Sequence, residues 1–407
     1  KDYAPEDLGS VILRELLTRS PQYQDLIEEV IAGNVAQPAE SMNIARVISL
    51  RAGIKESVPA FTVHRNCASG FEAITSSIAR ILSGNNQVIA AVATESMSNI
   101  PFFYNKEYKA FLENLMRARS NKAKFHAIMK FRFNMLKPEI GLKHGLTDPT
   151  NGMIMGDTAE LLARDFGITR LMQDEFALNS HLKASKAVDN NEFSDEIFPI
   201  IYDAKNEKYL EADEGIRPGQ NMKDLTKLKP YFDRINGTVT AGNSSQITDG
   251  AAAVFLASES YAKKNKLKPL GYITDYVYSG CDPKRMGIGP VHATQKLLVR
   301  NKISLKDFDF IEINEAFSAQ VLGCVAAFDS KKYAKDHFNL NSKIGEIDLD
   351  KLNINGGAIA VGHPVGVTGM RIILHLLYQM KRKEKSKSLA SLCIGGGQGG
   401  SVYLEAE

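Results

Sequence analysis

At 407 residues the chain is too long for one simple core, so two or more core-forming units are expected. Its 44% hydrophobic and 24% charged residues exclude wholesale disorder and a fibrous repeat. Fifty Lys and Arg against 47 Asp and Glu leave a net +3, which excludes a strongly basic nucleic-acid binder.

The first segment, residues 7–17, carries Leu8, Val11, Ile12, Leu16 and Leu17 at helical spacing and reads as an amphipathic helix. Its opening, Lys1-Asp2-Tyr3-Ala4-Pro5, has no leader-peptide pattern, and no apolar window is long enough to cross a bilayer. An alternating stretch over 58–63 predicts a strand that ends at His64-Arg65-Asn66-Cys67. A helix over 68–82 follows, closed by Gly84, and then a buried strand over 88–93. The second half has a similar layout. Leu352 to Ile354 leads through Gly356-Gly357 to His363, a helical run covers 367–380, and a short strand over 389–392 ends in Cys393. Each half thus puts a reactive side chain at a strand-to-helix junction, which suggests a duplicated α/β fold.

Between the halves, residues 101–145 hold ten Lys or Arg against three Glu, a surplus of seven that leaves −4 on the remainder. The segment is also rich in Phe and Met. Such a stretch can lie on a lipid surface, cover an acyl chain or dock onto a partner, and the plain alternative is a solvated helical insert.

Four cysteines, Cys67, Cys281, Cys324 and Cys393, show no metal-type spacing and no disulfide framework, which fits a reducing compartment. Cys67 precedes a helix, whose free N–H groups and dipole are expected to lower its thiol pKa; the alternative is a buried small hydrophobe. His363 lies in the glycine-rich run Gly357 to Gly366, with Pro364 at the expected first helical position, and could accept a proton from a thiol. Cys393 opens Cys393-Ile394-Gly395-Gly396-Gly397-Gln398-Gly399-Gly400, whose backbone N–H groups could form an oxyanion hole. A phosphate loop fails there for want of the Walker Lys-Ser/Thr, and Gly287 with Gly289 completes no dinucleotide fingerprint. Asn314, in Asn314-Glu315-Ala316-Phe317, follows an apolar run and could offer an amide donor or cap a helix over 316–325.

Asn66-Cys67-Ala68-Ser69-Gly70, Asn314-Glu315-Ala316-Phe317, Gly362-His363-Pro364 and the Cys393 block resemble, in order, the signature blocks of the thiolase family. Residues 242–252 resemble the family's coenzyme A loop and the strand after it. The resemblance implies a thiolase-like αβαβα five-layer sandwich of two similar halves with an inserted loop domain. The halves would be 1–97 with 232–258, and 259–407, and the insert 98–231.

It implies Cys67 as nucleophile, His363 as its base, and Cys393 as the acid/base for the second thiol. Asn314 with His363 would serve one oxyanion, and the backbone N–H groups of Cys67 and Gly395 the other. Ser245, Arg217, Met155, Ala316 and Phe317 would contact coenzyme A, which is a substrate; no cofactor or metal is implied. The activity implied is thiolysis of 3-ketoacyl-CoA in fatty-acid β-oxidation, by ping-pong kinetics. The alternatives are acetoacetyl-CoA condensation, or a low-turnover lipid-carrier or scaffold subunit. Biosynthetic members usually have His before Met-Gly, where this chain has Ile154, which favours the degradative branch. The basic insert resembles that of thiolase β-subunits of the trifunctional β-oxidation complex. The partners implied are therefore a second copy in a dimer-based assembly, an α-subunit with hydratase and dehydrogenase sites, and a membrane surface at 101–145. The compartment implied is the cytoplasm, or the mitochondrial matrix in a eukaryote. The family normally opens with a strand and an Arg-Thr-Pro stretch before its first helix, and this chain starts at that helix, so the first sheet is expected to lack that strand.

Overall fold

The computed structural model describes residues 2–203 and 205–407. Two four-stranded β-sheets build the body of the molecule. The first runs in the order Ala60–Val63, Glu29–Gly33, Val88–Ser96, Asp249–Ala257, the last strand being antiparallel to its neighbour. The second runs Phe310–Ile313, Lys387–Ile394, Gln398–Glu405, Tyr272–Gly280, with a parallel pair followed by antiparallel ones. A single bridge from Ile311 to Leu352 stands where the first sheet has Ala60–Val63. Glu29–Gly33 and Val88–Ser96 thus correspond to Phe310–Ile313 and Lys387–Ile394, and the duplication expected from the sequence is present in the topology. The second sheet carries Tyr272–Gly280 beyond its hairpin; the first ends at Asp249–Ala257.

Strand Val88–Ser96 is buried along its whole length because both faces are covered. Ile89, Ala91 and Ala93 point into a central core, while Ala90 and Val92 meet Leu13, Ile44 and Ile48 from helices Pro5–Arg19 and Ile44–Ala52. The central core is filled by two helices, Ser69–Leu82 and Thr368–Lys383, one from each half, contributing Phe71, Ile74, Met370, Ile373 and Leu377. Helices Gly289–Asn301 and Ser318–Asp329 cover the far face of the second sheet. The layers therefore run helix, sheet, helix, sheet, helix.

Where the central helices cross, the backbones nearly touch. A Cβ on Gly70 would lie 2.7 Å from the Met370 nitrogen, and one on Gly369 would lie 2.7 Å from the Phe71 nitrogen. Glycine at both positions permits the contact that draws the two junction loops together.

Several boundaries differ from the sequence reading. The strand carrying Cys393 runs to Ile394, and the glycines after it form a turn into the antiparallel strand Gln398–Glu405. The His363 run contains a short helix, Ala358–Val361, and the next helix starts only at Thr368, so Pro364 is not a first helical residue and His363 sits in the connecting loop. Asn314 caps nothing, because the following helix begins at Ser318 with Phe317 as its N-cap residue.

In the insert, Phe102–Phe103 pairs with Glu139–Ile140, and between them helices Lys106–Arg117 and Asn121–Ile128 form a hairpin in which neither helix has a buried residue. Met116 and Phe133 are each 85% exposed. Among the described residues no helix is long and apolar enough to cross a membrane.

Candidate active site

Cys67 stands on a sharp turn between strand Ala60–Val63 and helix Ser69–Leu82. Asn66 takes a left-handed conformation, φ 45°, which costs free energy for a non-glycine residue. Local bonds hold it: the Ser69 hydroxyl donates to the Asn66 carbonyl at 2.8 Å and accepts from the Arg65 N–H at 3.0 Å. The strained turn aims the Cys67 sulfur across the boundary between the halves, where the backbone N–H groups of Gly395 and of Cys67 itself oppose the rise of its pKa. The Asn66 side chain closes the other side, its Nδ2 donating to the Gly395 carbonyl at 2.7 Å.

The thiol pKa moves opposite to the sequence-based expectation. Burial pushes Cys67 up, and the two N–H donors only partly offset that, while the carboxylate of Glu95 adds to the rise. The helix N-terminus is present, but desolvation outweighs it. Cys393, 1% exposed, is pushed well above the usual thiol range, first by burial and then by the neighbouring Cys67. Both thiols therefore rest protonated at neutral pH, and a base must act on Cys67 when it reacts.

His363 is buried and its pKa is lowered to about 4, by desolvation and by Arg371. The imidazole is thus neutral. The Thr368 hydroxyl lies 2.7 Å from Nδ1 and 3.2 Å from the Pro364 carbonyl. A carbonyl can only accept, so the hydroxyl donates to Pro364 and accepts from Nδ1–H. This assigns the proton to Nδ1 and leaves the Nε2 lone pair free to act as a base. Asn314 Nδ2 faces Nε2 at 3.5 Å, and the Asn314 N–H is bonded to Ser391 at 2.9 Å, tying it to the strand that carries Cys393. Asn314 Oδ1 is buried and has no hydrogen-bond partner among the described residues.

A second group of the sequence-predicted residues forms a wall beside the cysteines. The Ser245 N–H donates to the Ala316 carbonyl at 3.0 Å, and Ser244 bridges to Phe317. Phe317, Ala316 and Met155 share a cluster with Cys393. The Met155 sulfur lies 3.6 Å from where a Cβ on Gly395 would stand. Arg217 is not part of this wall. It sits on an exposed loop, its N–H bonded to His181 Nδ1 at 3.3 Å, close to Gly215, whose carbonyl accepts from Gln246.

Sequence reasoning missed Thr368, which sets the histidine tautomer, and Glu95, a buried carboxylate that acts on Cys67. Glu95 left a signal: a charged residue two positions beyond the apolar run 88–93, still inside the strand. Thr368 left none, because its role depends on a loop conformation. Among the described residues no group of three or more His, Cys, Asp or Glu is placed to hold a metal.

Comparison with known proteins agrees with this architecture. The model of the thiolase N-terminal domain matches residues 1–260 and that of the thiolase C-terminal domain matches 267–406. A 3-ketoacyl-CoA thiolase of Photorhabdus laumondii is 37% identical over 407 residues, covering 100% of this chain and 92% of the relative. The mitochondrial trifunctional enzyme subunit beta of Homo sapiens is 36% identical, covering 100% and 84% respectively. Among solved structures, the acetyl-CoA acetyltransferase of Bacillus anthracis superposes with a TM-score of 0.85 at 35% identity, covering 100% of this chain and 94% of that one. Human mitochondrial 3-ketoacyl-CoA thiolase in complex with CoA gives 0.84 at 34% identity, covering 100% and 93%. With both family models matched in sequence order on the two halves of the fold, the chain belongs to the thiolase family.

Proposed function

We propose that this chain is a 3-ketoacyl-CoA thiolase that cleaves its substrate with coenzyme A in fatty-acid β-oxidation. The observation that carries the reading is the meeting of the Cys67 turn with the Cys393–Gly395 segment of the other half: Asn66 Nδ2 donates to the Gly395 carbonyl at 2.7 Å, and Cys67 and Cys393 are close enough to act on each other electrostatically. A thiol nucleophile, a second thiol and a pair of amide donors suit transfer of an acyl group between thiols. The product of the first step stays an activated thioester, and exclusion of water preserves it.

In the first half-reaction His363 Nε2 takes the Cys67 proton and the thiolate attacks the keto carbon. The bond between the second and third carbons breaks, its electron pair remains on the departing acetyl-CoA, and Cys393 protonates that carbanion. The acyl group is left on Cys67. In the second, Cys393 takes the proton of an incoming CoA thiol, whose sulfur attacks the thioester carbonyl. Cys67 leaves as thiolate and recovers its proton from His363. The raised pKa of Cys393 suits a residue that must begin as a neutral acid. Asn314, holding a water through its unpartnered Oδ1, would act with His363 at one oxyanion, and the Gly395 and Cys67 N–H groups would serve the other.

Ser245, Ala316, Phe317 and Met155 would line the pantetheine arm, and Arg217, farther out, would meet the nucleotide. Residues 98–231 would form the inserted loop domain. Its hairpin, with exposed Phe102, Phe125 and Phe133 among many Lys and Arg, would contact an α-subunit or an anionic membrane, and the chain would work as a dimer or dimer-based assembly. A reducing compartment, cytoplasm or mitochondrial matrix, would keep both thiols free. Thiolysis kinetics across short, medium and long 3-ketoacyl-CoAs tests the reading: cleavage of four-carbon acetoacetyl-CoA alone would assign the chain to the acetyltransferase branch instead.

A further inference from the structure

Glu95 has no part in the chemistry above, yet it is fully buried beside the nucleophile. Its carboxylate accepts from the N–H groups of Val35 at 3.0 Å, Ala36 at 2.9 Å and Gly366 at 3.0 Å, and from Asn34 Nδ2 at 3.3 Å. Asn34 to Ala36 belong to the loop after strand Glu29–Gly33 in the first half; Gly366 belongs to the loop that carries His363 in the second. A Cβ on Gly366 would lie 2.5 Å from Glu95 Oε2, so the approach needs glycine there. A buried carboxylate costs free energy unless its acceptor sites are filled, and here donors from both halves fill them.

We propose, on the basis of the thiolase reading, that Glu95 is a positioning residue: its carboxylate ties the His363 loop of one half to the Asn34–Ala36 turn of the other and sets a negative charge behind Cys67. The helix crossing at Gly70 packs against the carbonyl side of Gly366 and Val367, and Glu95 holds the Gly366 peptide from its N–H side. Asp249, on the adjoining strand, is the charged group that acts on this carboxylate, and the carboxylate in turn acts on Cys67 in the same half. Burial lifts Glu95 to about 7, so it is ionised throughout the higher range in which Cys67 titrates, and its charge opposes the thiolate.

Two variants separate position from charge. Glu95→Gln removes the charge and replaces one acceptor oxygen with an NH2 that faces N–H donors. Glu95→Asp keeps the charge but withdraws it by one methylene. In both, kcat for thiolysis is expected to fall at least about tenfold while KM for CoA and for the 3-ketoacyl-CoA stays within about twofold. Alkylation of Cys67 by iodoacetamide, followed by mass spectrometry across pH, is expected to shift its midpoint to lower pH in Glu95→Gln and to keep the wild-type midpoint in Glu95→Asp. A kcat within about twofold of wild type in either folded variant overturns the proposal, as does an unchanged alkylation midpoint in Glu95→Gln. Alkylation needs no turnover. A wild type that cleaves no 3-ketoacyl-CoA, together with a midpoint shift in Glu95→Gln, refutes the functional reading and supports the Glu95–Cys67 coupling.

Discussion

The side-chain amide of Asn66, in the first half of the chain, donates to the carbonyl of Gly395, in the second, at 2.7 Å and joins the Cys67 turn to the Cys393 strand end. Neither half holds a complete site. The nucleophile turn supplies a thiol whose proton is hard to remove, and the opposite half supplies an amide donor, a neutral imidazole and a second thiol. Substitutions at the two cysteines should therefore fail differently. Cys67→Ala should eliminate the acyl-enzyme adduct in the mass spectrum and lower kcat by about 10³ or more. Cys393→Ala should still let Cys67 take an acyl group from an acyl-CoA donor, yet show no carbon–carbon cleavage.

Acid should weaken the fold through His363. Its folded pKa is about 4 against an ordinary value of 6.5, so between those values the unfolded chain binds a proton that the native chain refuses. Stability contributed by the neutral buried ring is present above pH 6.5 and is lost as pH falls toward 4. The full difference corresponds to roughly 3 kcal/mol. His363→Asn should flatten the fall in urea-unfolding free energy across this window while abolishing thiolysis. Glu95, raised to about 7, works the other way: its native form holds a proton that the unfolded chain releases, so its contribution declines as pH rises from 4.5 to 7.

The helix crossing gives a packing test. Gly369→Ala places a methyl group 2.7 Å from a backbone nitrogen that cannot rotate away, so the central helices must separate. A loss of about 1–3 kcal/mol is expected in denaturant unfolding. Activity should drop as well, because those helices begin at the Cys67 turn and after the His363 loop.

The paired strands Phe102–Phe103 and Glu139–Ile140 bring the feet of the basic hairpin together, so residues 106–137 can be replaced by a short Gly-Ser linker without stretching the body. The shortened protein should cleave short-chain 3-ketoacyl-CoA at a rate within about twofold of wild type. It should no longer sediment with anionic lipid vesicles or associate with an α-subunit. Retention of both associations would leave the hairpin without a contact role.

Three of the four blocks proposed to carry the chemistry were readable because each joins an unusual side chain to glycine, a pairing that stands out without any knowledge of the fold; Asn314-Glu315-Ala316-Phe317 has no glycine and was marked by the apolar run before it. The periodicity of 68–82 and 367–380 likewise marked the central helices to within a few residues of Ser69–Leu82 and Thr368–Lys383. Errors gathered where backbone runs irregularly: the short helix at Ala358–Val361, the late start at Thr368 and the uncapped Asn314. Local patterns there compete with contacts from segments distant in sequence, such as the Ser391 carbonyl that engages Asn314.

Sequence alone established which atoms could react and that two like halves carry them, since residue type and periodicity are local properties. Tertiary structure settled the protonation states. A helix N-terminus favours a thiolate at Cys67, but burial of the sulfur outweighs that dipole and Glu95 adds to the rise, while burial and Arg371 keep His363 neutral. Desolvation depends on what the opposite half places over a residue, and that is known only once Gly70 and Gly369 have let the halves close.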